Sequence, residues 1–131
     1  AYDTATGGTD QTRASRRRGQ EYLLQRRLIN RLSTGAPVGD WVDRFVYPFR
    51  WAYSVLNAAE YFRMASAIDG TTPDPRMTDA IEMVRAAQRP DHTWTTSGRH
   101  SGRVWFEVDA PAGEPSKWLT FFASRVLAWW D

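Results

Sequence analysis

Two carboxylates in the last third of the chain are the residues best placed for acid–base chemistry. Glu107 and Asp109 are one residue apart, so an extended segment would point both side chains to the same face. Where burial separates the pKa values of such a pair, one carboxyl acts as an acid and the other as a base. The alternative is that they form ion pairs with Lys117 or Arg125, and we favour it because structural ion pairs outnumber catalytic dyads. A third possibility is a carboxylate–Arg cluster at the mouth of a cavity. If the protein is an enzyme, Glu107 and Asp109 are its candidate catalytic groups.

Other reactive side chains are scarce. The 131 residues include no Cys, which excludes disulfides, thiolate nucleophiles and cysteine-ligated metals. The two histidines, His92 and His100, lie in a loop-rich stretch without the spacing of metal ligands, and we interpret them as surface residues. The sequence has no Gly-rich phosphate loop and no nucleophile elbow. We therefore predict neither a metal site nor a cofactor.

Aromatic residues are abundant, with seven Trp, five Tyr and six Phe. Large rings supply much of the buried area of a core and also line apolar pockets. Core packing is the commoner role for rings at helical spacing, but a helix can face the core on one side and a cavity on the other. The candidate ligand-lining residues are Tyr47, Trp51, Tyr53, Trp118, Phe121 and Phe122.

Positive charge is concentrated near the N-terminus. Residues 13–31 contain seven Arg against Glu21 alone, a net charge of +6, whereas the whole chain carries +2. A basic helix can bind nucleic acid or an anionic membrane. We favour a solvated helix face that docks against the acidic remainder of the chain or against a missing neighbour, because no aromatic residues alternate with the arginines as single-strand binding requires. Nucleic acid is therefore not an expected partner, and a membrane surface is left open.

Apolar periodicity predicts four helices, over residues 10–32, 49–68, 74–88 and 115–131. The second and fourth are apolar on most sides, which is typical of central helices. The loop-rich stretch between the third and fourth helices alternates over residues 103–109, which permits a short strand. No apolar run reaches the ~20 residues of a membrane-spanning helix, and we expect a cytoplasmic protein. The predicted fold class is all-α.

The four helices form two similar halves, residues 10–70 and 74–131. In each half a charged helix is followed by a loop and then by an apolar helix that opens with a basic residue and Trp: Arg50–Trp51 in the first, Lys117–Trp118 in the second. This pattern indicates α-hairpin repeats, which bury their apolar faces by stacking on further repeats. We expect one domain over residues 1–131 that is a fragment of a larger helical array, with the remaining repeats or a second copy as its partners.

Residues 80–94 (AIEMVRAAQRPDHTW) resemble the QW repeat of squalene and oxidosqualene cyclases. Gln88 and Trp94 match the pair that defines the repeat, and His92 stands where Gly is usual. The opening residues of another repeat are found at 19–24. The resemblance implies an α/α toroid, in which inner and outer helices alternate around a barrel, as they also do in protein prenyltransferase β subunits. It gives Gln88 and Trp94 a structural role.

The same resemblance implies an apolar ligand, such as an isoprenoid, in an aromatic-lined interior. Its chemistry transfers less well, because the family's Asp-x-Asp-Asp acid motif has only Glu107-Val108-Asp109-Ala110 as a counterpart here. The zinc-binding Cys of the prenyltransferases is absent as well. Enzymatic activity is thus left open. The alternative function is a non-catalytic helical-repeat scaffold that binds a protein partner.

Overall fold

The computed structural model describes residues 2–131, and the chain is mostly helical. This confirms the predicted helical class. A short 3-10 turn, Pro75–Met77, leads into the fourth helix. The helices are α1 (Tyr2–Thr6), α2 (Asp10–Leu24), α3 (Val55–Asp69), α4 (Thr78–Ala86) and α5 (Lys117–Trp130), and the strands are β1 (Trp94–Thr95) and β2 (Pro115–Ser116).

The first predicted helix is too long, because α2 ends at Leu24 and not at residue 32. Arg27 and Leu28 have φ angles of 48° and 66°, in the left-handed region that an α-helix cannot continue through. Leu28 is nevertheless buried in the core, whereas Leu32 is 61% exposed. Leu28 therefore packs into the core from a turn and not from a helix.

The second predicted helix starts six residues later than expected, at Val55. Arg50 has a φ of 47°, so the chain around it is not helical. Ser54 then caps α3, since its hydroxyl accepts a hydrogen bond from the backbone N–H of Asn57 at 3.3 Å. Gly70 ends the helix in the left-handed conformation, with φ 63°.

Helix α3 packs against both α4 and α5, which also contact each other, and its contact with α5 is the most extensive of the three. This agrees with its apolar character on several sides. Buried side chains from all three helices form one core, which includes Leu56, Ile81 and Leu119 at 0% exposure. By contrast, the polar α2 is joined to the rest mainly through ion pairs, such as that of Arg16 with Asp69 at 2.6 Å.

The only β-sheet within residues 2–131 is a two-residue antiparallel pair in which Trp94 lies opposite Ser116 and Thr95 opposite Pro115. The strand permitted over residues 103–109 does not form, since that stretch is irregular, although β1 lies within the same loop-rich segment. The pair β1–β2 instead closes the base of the loop formed by residues 96–114. Within the same described part of the chain, no helix is long and apolar enough to cross a membrane.

Candidate functional site

An aromatic cluster lies where the loop before α3 meets the first half of α5. The Tyr47 ring stacks on Trp118, with centroids 4.9 Å apart and planes inclined by 16°, and also on Phe122 at 5.9 Å. Phe49 and Phe121 extend the cluster, at 5.0 Å and 5.3 Å from the Phe122 ring. The structure therefore brings four of the six predicted lining residues together and adds Phe49.

Hydrogen bonds hold the loop that carries Tyr47 and the helix that carries Trp118 in place. The N–H of Val55 donates to the carbonyl of Val42 at 2.7 Å, and that of Ser97 donates to the carbonyl of Phe45 at 2.8 Å. On α5, Trp118 and Phe122 are four residues apart and so share one face of the helix. The indole Nε1 of Trp118 donates to the carbonyl of Val108 at 2.9 Å, which fixes the loop against the helix.

A cavity of about 480 Å³ opens beside Tyr47. Val104, Phe106 and Val108 supply apolar surface, and Glu107 and Asp109 are the carboxylates in its lining. Both predicted acidic residues therefore face the same cavity. The full lining comprises Tyr47, Pro48, Arg50, Gly98, Arg99, His100, Val104, Phe106, Glu107, Val108, Asp109, Ala110, Pro111 and Ala112.

The two acidic residues are held by different partners. Glu107 forms an ion pair with Arg99, 3.1 Å from Oε1 to Nε, and both side chains are more than a third exposed. Asp109 accepts a hydrogen bond of 2.6 Å from the hydroxyl of Ser116, which itself accepts from the N–H of Leu119 at 3.0 Å. Asp109 thus orients the cap of α5.

The predicted cationic partners lie elsewhere. Arg125 pairs with the buried Glu60 of α3, with an N–O distance of 3.7 Å, and its guanidinium lies 4.8 Å from the Phe121 ring centroid. Arg63 binds the same carboxylate at 2.7 Å and 2.8 Å, and this raises the pKa of Arg63. Lys117 lies over the Trp118 ring at 5.5 Å. Lys117 and Arg125 therefore do not form the expected ion pairs. Within residues 2–131, Glu107 pairs with Arg99 and Asp109 accepts from Ser116 instead.

The pair Gln88 and Trp94 lies at the join between α4 and α5. Trp94 is fully buried, its indole Nε1 donates to the carbonyl of Val84 at 2.8 Å, and its backbone N–H donates to the Thr120 hydroxyl at 3.0 Å. Gln88 forms an isolated antiparallel bridge with Trp94 through the backbone. These contacts are structural, and the intervening His92 has a φ of 62°, the conformation that favours Gly.

A second cavity, of about 260 Å³, shares Arg99 and His100 with the first. Tyr53 lines it, and burial raises the pKa of the Tyr53 hydroxyl to about 12. That hydroxyl donates to the backbone carbonyl of Leu28. Tyr53 therefore belongs to this smaller cavity and not to the aromatic cluster.

Trp51, the sixth predicted lining residue, is 80% exposed and stands apart from the cluster. Its ring stacks on His100, with centroids 5.6 Å apart and planes inclined by 24°. His100 is partly buried, whereas His92 is exposed. A group of three or more His, Cys, Asp or Glu placed to hold a metal does not occur within residues 2–131.

Sequence reasoning missed Phe49, Arg99 and Phe106. Phe49 was assigned to a helix that begins later, although its position beside the aromatic Tyr47 was a usable signal. Arg99 and Phe106 belong to the irregular loop, where no periodicity marks the inward side chains.

Comparison of the chain with protein-family models, with curated proteins and with solved structures gives no match. The family resemblance therefore rests on the residues quoted above.

Proposed function

We propose that this chain is a two-repeat segment of an α/α toroid of the squalene-cyclase and prenyltransferase type, and that it binds an apolar ligand such as an isoprenoid in the larger cavity. The observation that carries the proposal is the position of Tyr47. Its ring stacks on Trp118 and also lines the cavity of about 480 Å³, so the aromatic cluster forms part of the cavity wall.

The helix packing supports the toroid part of the proposal. Helices α3 and α5, which would be the inner helices of the two repeats, pack directly against each other, and α4 packs against both. Trp94 fastens α4 to α5 through hydrogen bonds to Val84 and Thr120, as a repeat-joining Trp would.

The lining of the cavity supports the ligand class. Rings and branched aliphatic side chains gain free energy by removing apolar surface from water, about 25 cal/mol per Å². Ring faces also attract cations by about 0.5–2 kcal/mol each, which suits a carbocation formed from an alkene. Any acid chemistry in this cavity would use Glu107 or Asp109, because they are the carboxylates in its described lining.

Binding is tested with geraniol, a short isoprenoid alcohol, by calorimetry or saturation-transfer NMR. Phe106 lines the cavity while being 72% exposed, so Phe106→Ala removes ligand contact without opening the core. We expect it to weaken binding about tenfold, the equivalent of about 1.4 kcal/mol. The matched control is Trp105→Ala, since Trp105 is the neighbouring residue, is 96% exposed and does not line the cavity.

Equal loss of binding in both variants, or binding unchanged by Phe106→Ala, would contradict the proposal. Catalysis is a separate question that Glu107→Gln and Asp109→Asn address. Lost turnover of a polyprene with an unchanged melting temperature would assign an acid, whereas lost stability alone would leave the pair structural.

The alternative, a helical-repeat scaffold, has one specific observation in its favour. Tyr61, Met64 and Ile68 lie along one side of α3 and are 38%, 49% and 50% exposed. Their i, i+3, i+7 spacing makes an apolar stripe on which another helix could pack. A second copy of the chain would be the simplest occupant for this alternative.

A further inference from the structure

The smaller cavity differs from the larger one in charge. Arg44 and Arg99 line it together with His100, and no carboxylate belongs to its described lining. Hydroxyl groups of Ser97 and Ser101 add hydrogen-bond donors. The full lining is Trp41, Arg44, Val46, Phe49, Ala52, Tyr53, Ser54, Ser97, Arg99, His100 and Ser101. Its polar side is therefore basic, and its other side is aromatic.

The two arginines of this cavity are held differently. The Arg99 guanidinium is fixed by Glu107 at 3.1 Å and by the backbone carbonyls of His100 and Gly102 at 3.1 Å and 2.7 Å. Arg44, by contrast, has no ion-pair partner within residues 2–131. A planar guanidinium without a partner is suited to binding a carboxylate or phosphate group through two parallel hydrogen bonds.

His100 provides an independent observation. Its Nε2 is the buried side-chain nitrogen or oxygen that lacks a hydrogen-bond partner in the described part of the chain. Buried polar atoms are nearly always paired, and an exception calls for an explanation such as a bound group. The Trp51 ring stacks on one face of this imidazole.

We propose that the smaller cavity binds an oxyanion, a carboxylate or a phosphate ester, attached to a small aromatic or apolar body. Arg44 supplies the neutralising charge, because that of Arg99 is already balanced by Glu107, and His100 Nε2 donates a hydrogen bond to the oxyanion. The body of the ligand contacts the rings of Trp41, Phe49 and Tyr53. This site does not depend on the isoprenoid proposal, because its ligand is charged and its distinctive cation, Arg44, does not line the larger cavity.

The experiment exploits the presence of only two histidines in the sequence. Imidazole signals of the full chain are followed by NMR during titration with phenyl phosphate, with benzoate and with the neutral benzyl alcohol. We expect the two anions to shift the His100 signals and to leave those of the exposed His92 in place. Benzyl alcohol should produce no comparable shift. The affinities of the two anions distinguish a phosphate ester from a carboxylate as the preferred group.

The charge of Arg44 is tested with Arg44→Gln, which we expect to weaken anion binding about tenfold, and with Arg44→Lys, which should retain part of it. The control is Arg17→Gln, because Arg17 is exposed on α2 and also forms no ion pair within residues 2–131. Binding to the unaltered protein should also weaken as salt is raised. Equal shifts at both histidines, equal affinity for benzyl alcohol, or affinity independent of salt would overturn the proposal.

Discussion

The indole Nε1 of Trp94 donates a hydrogen bond of 2.8 Å to the backbone carbonyl of Val84, on the last turns of α4. Both residues are fully buried. Through its own backbone N–H, Trp94 also reaches the Thr120 hydroxyl on α5 at 3.0 Å. A single residue therefore connects the end of one helix, through its side chain, with the face of the next, through its backbone.

Replacing Trp94 with Phe keeps most of the apolar volume but removes the indole donor. The Val84 carbonyl then loses its indole partner in a buried position, and we expect a loss of about 1–3 kcal/mol in the free energy of unfolding. Chemical denaturation monitored by circular dichroism measures it. Trp105→Phe, at a side chain that is 96% exposed, should change stability by less than about 0.5 kcal/mol. Equal stability of the two variants would show that the Trp94 hydrogen bond contributes little.

His92→Gly should raise stability. The φ of His92 is 62°, where a Cβ atom costs roughly 1–2 kcal/mol, so removing it should stabilise the folded state. Part of this stabilisation is offset because Gly has more conformational freedom in the unfolded chain. The net expectation is an increase of a few tenths to about 1 kcal/mol. The opposite control is His92→Val, whose branched side chain should lower the melting temperature. A lower melting temperature for the Gly variant would mean that the imidazole makes a stabilising contact of its own.

Asp109 and Ser116 should be energetically coupled. The Ser116 hydroxyl donates to Asp109 at 2.6 Å while capping α5 at Leu119. Ser116→Ala should cost about 1–2 kcal/mol as a lost N-cap, and Asp109→Ala should cost less. The double variant should lose less stability than the sum of the two single losses, and a double-mutant cycle measures this difference. Strict additivity would show that Asp109 does not act through the cap.

The ion pair between α2 and α3 should make stability depend on acid pH. Arg16 donates to Asp69 at 2.6 Å and 2.7 Å, and these bonds hold the pKa of Asp69 below its usual 3.8. A carboxyl with a lower pKa in the folded state stabilises the protein above its unfolded pKa, and this contribution is lost as pH falls through the folded value. Asp69→Asn should therefore flatten the decline in melting temperature below about pH 5.

The control for this pH series is Asp40→Asn, at an exposed residue outside the ion pairs of the described chain. The melting temperature of this variant should decline below about pH 5 as steeply as that of the unaltered protein. If Asp69→Asn keeps the same decline, the Arg16–Asp69 pair is not the origin of the acid sensitivity.

The scaffold alternative predicts self-association through the apolar stripe of α3. Ile68→Glu should reduce the average mass measured by light scattering at high concentration, because a charge in the stripe opposes packing of a second helix. Leu32→Glu is the matched control, since Leu32 is 61% exposed but is not part of α3. An unaltered protein that is monomeric at every concentration would argue against this alternative.

The sequence predicted the helices best where an apolar stripe coincided with a clear cap. Asp74, Pro75 and the stripe through Ile81 placed the third predicted helix nearly correctly, whereas the leucines after Leu24 extended the first by eight residues. That error arose because Leu28 is buried from a turn, and burial alone does not reveal backbone conformation. The toroid and the repeat are still proposals.

The candidate site was only partly predictable. Tyr47 and Trp118 could be selected as large rings, and they do stack. The larger cavity beside Tyr47, however, is completed by an irregular loop whose fold depends on individual hydrogen bonds, such as that of Trp118 to Val108. The ion pair of Arg99 with Glu107 lies in the same loop, and the spacing of the two residues in the sequence does not predict it.

The β1–β2 pair has a consequence for how this protein can vary. It ties the two ends of the 96–114 loop together, with Thr96 and Glu114 bonded at 3.0 Å just beyond it. Lengthening a loop whose ends are already joined costs only about 0.6 kcal/mol per doubling. Insertions between residues 98 and 112 should therefore change the walls of both cavities and leave the packing of the helices intact. Ligand preference and fold stability can then evolve separately.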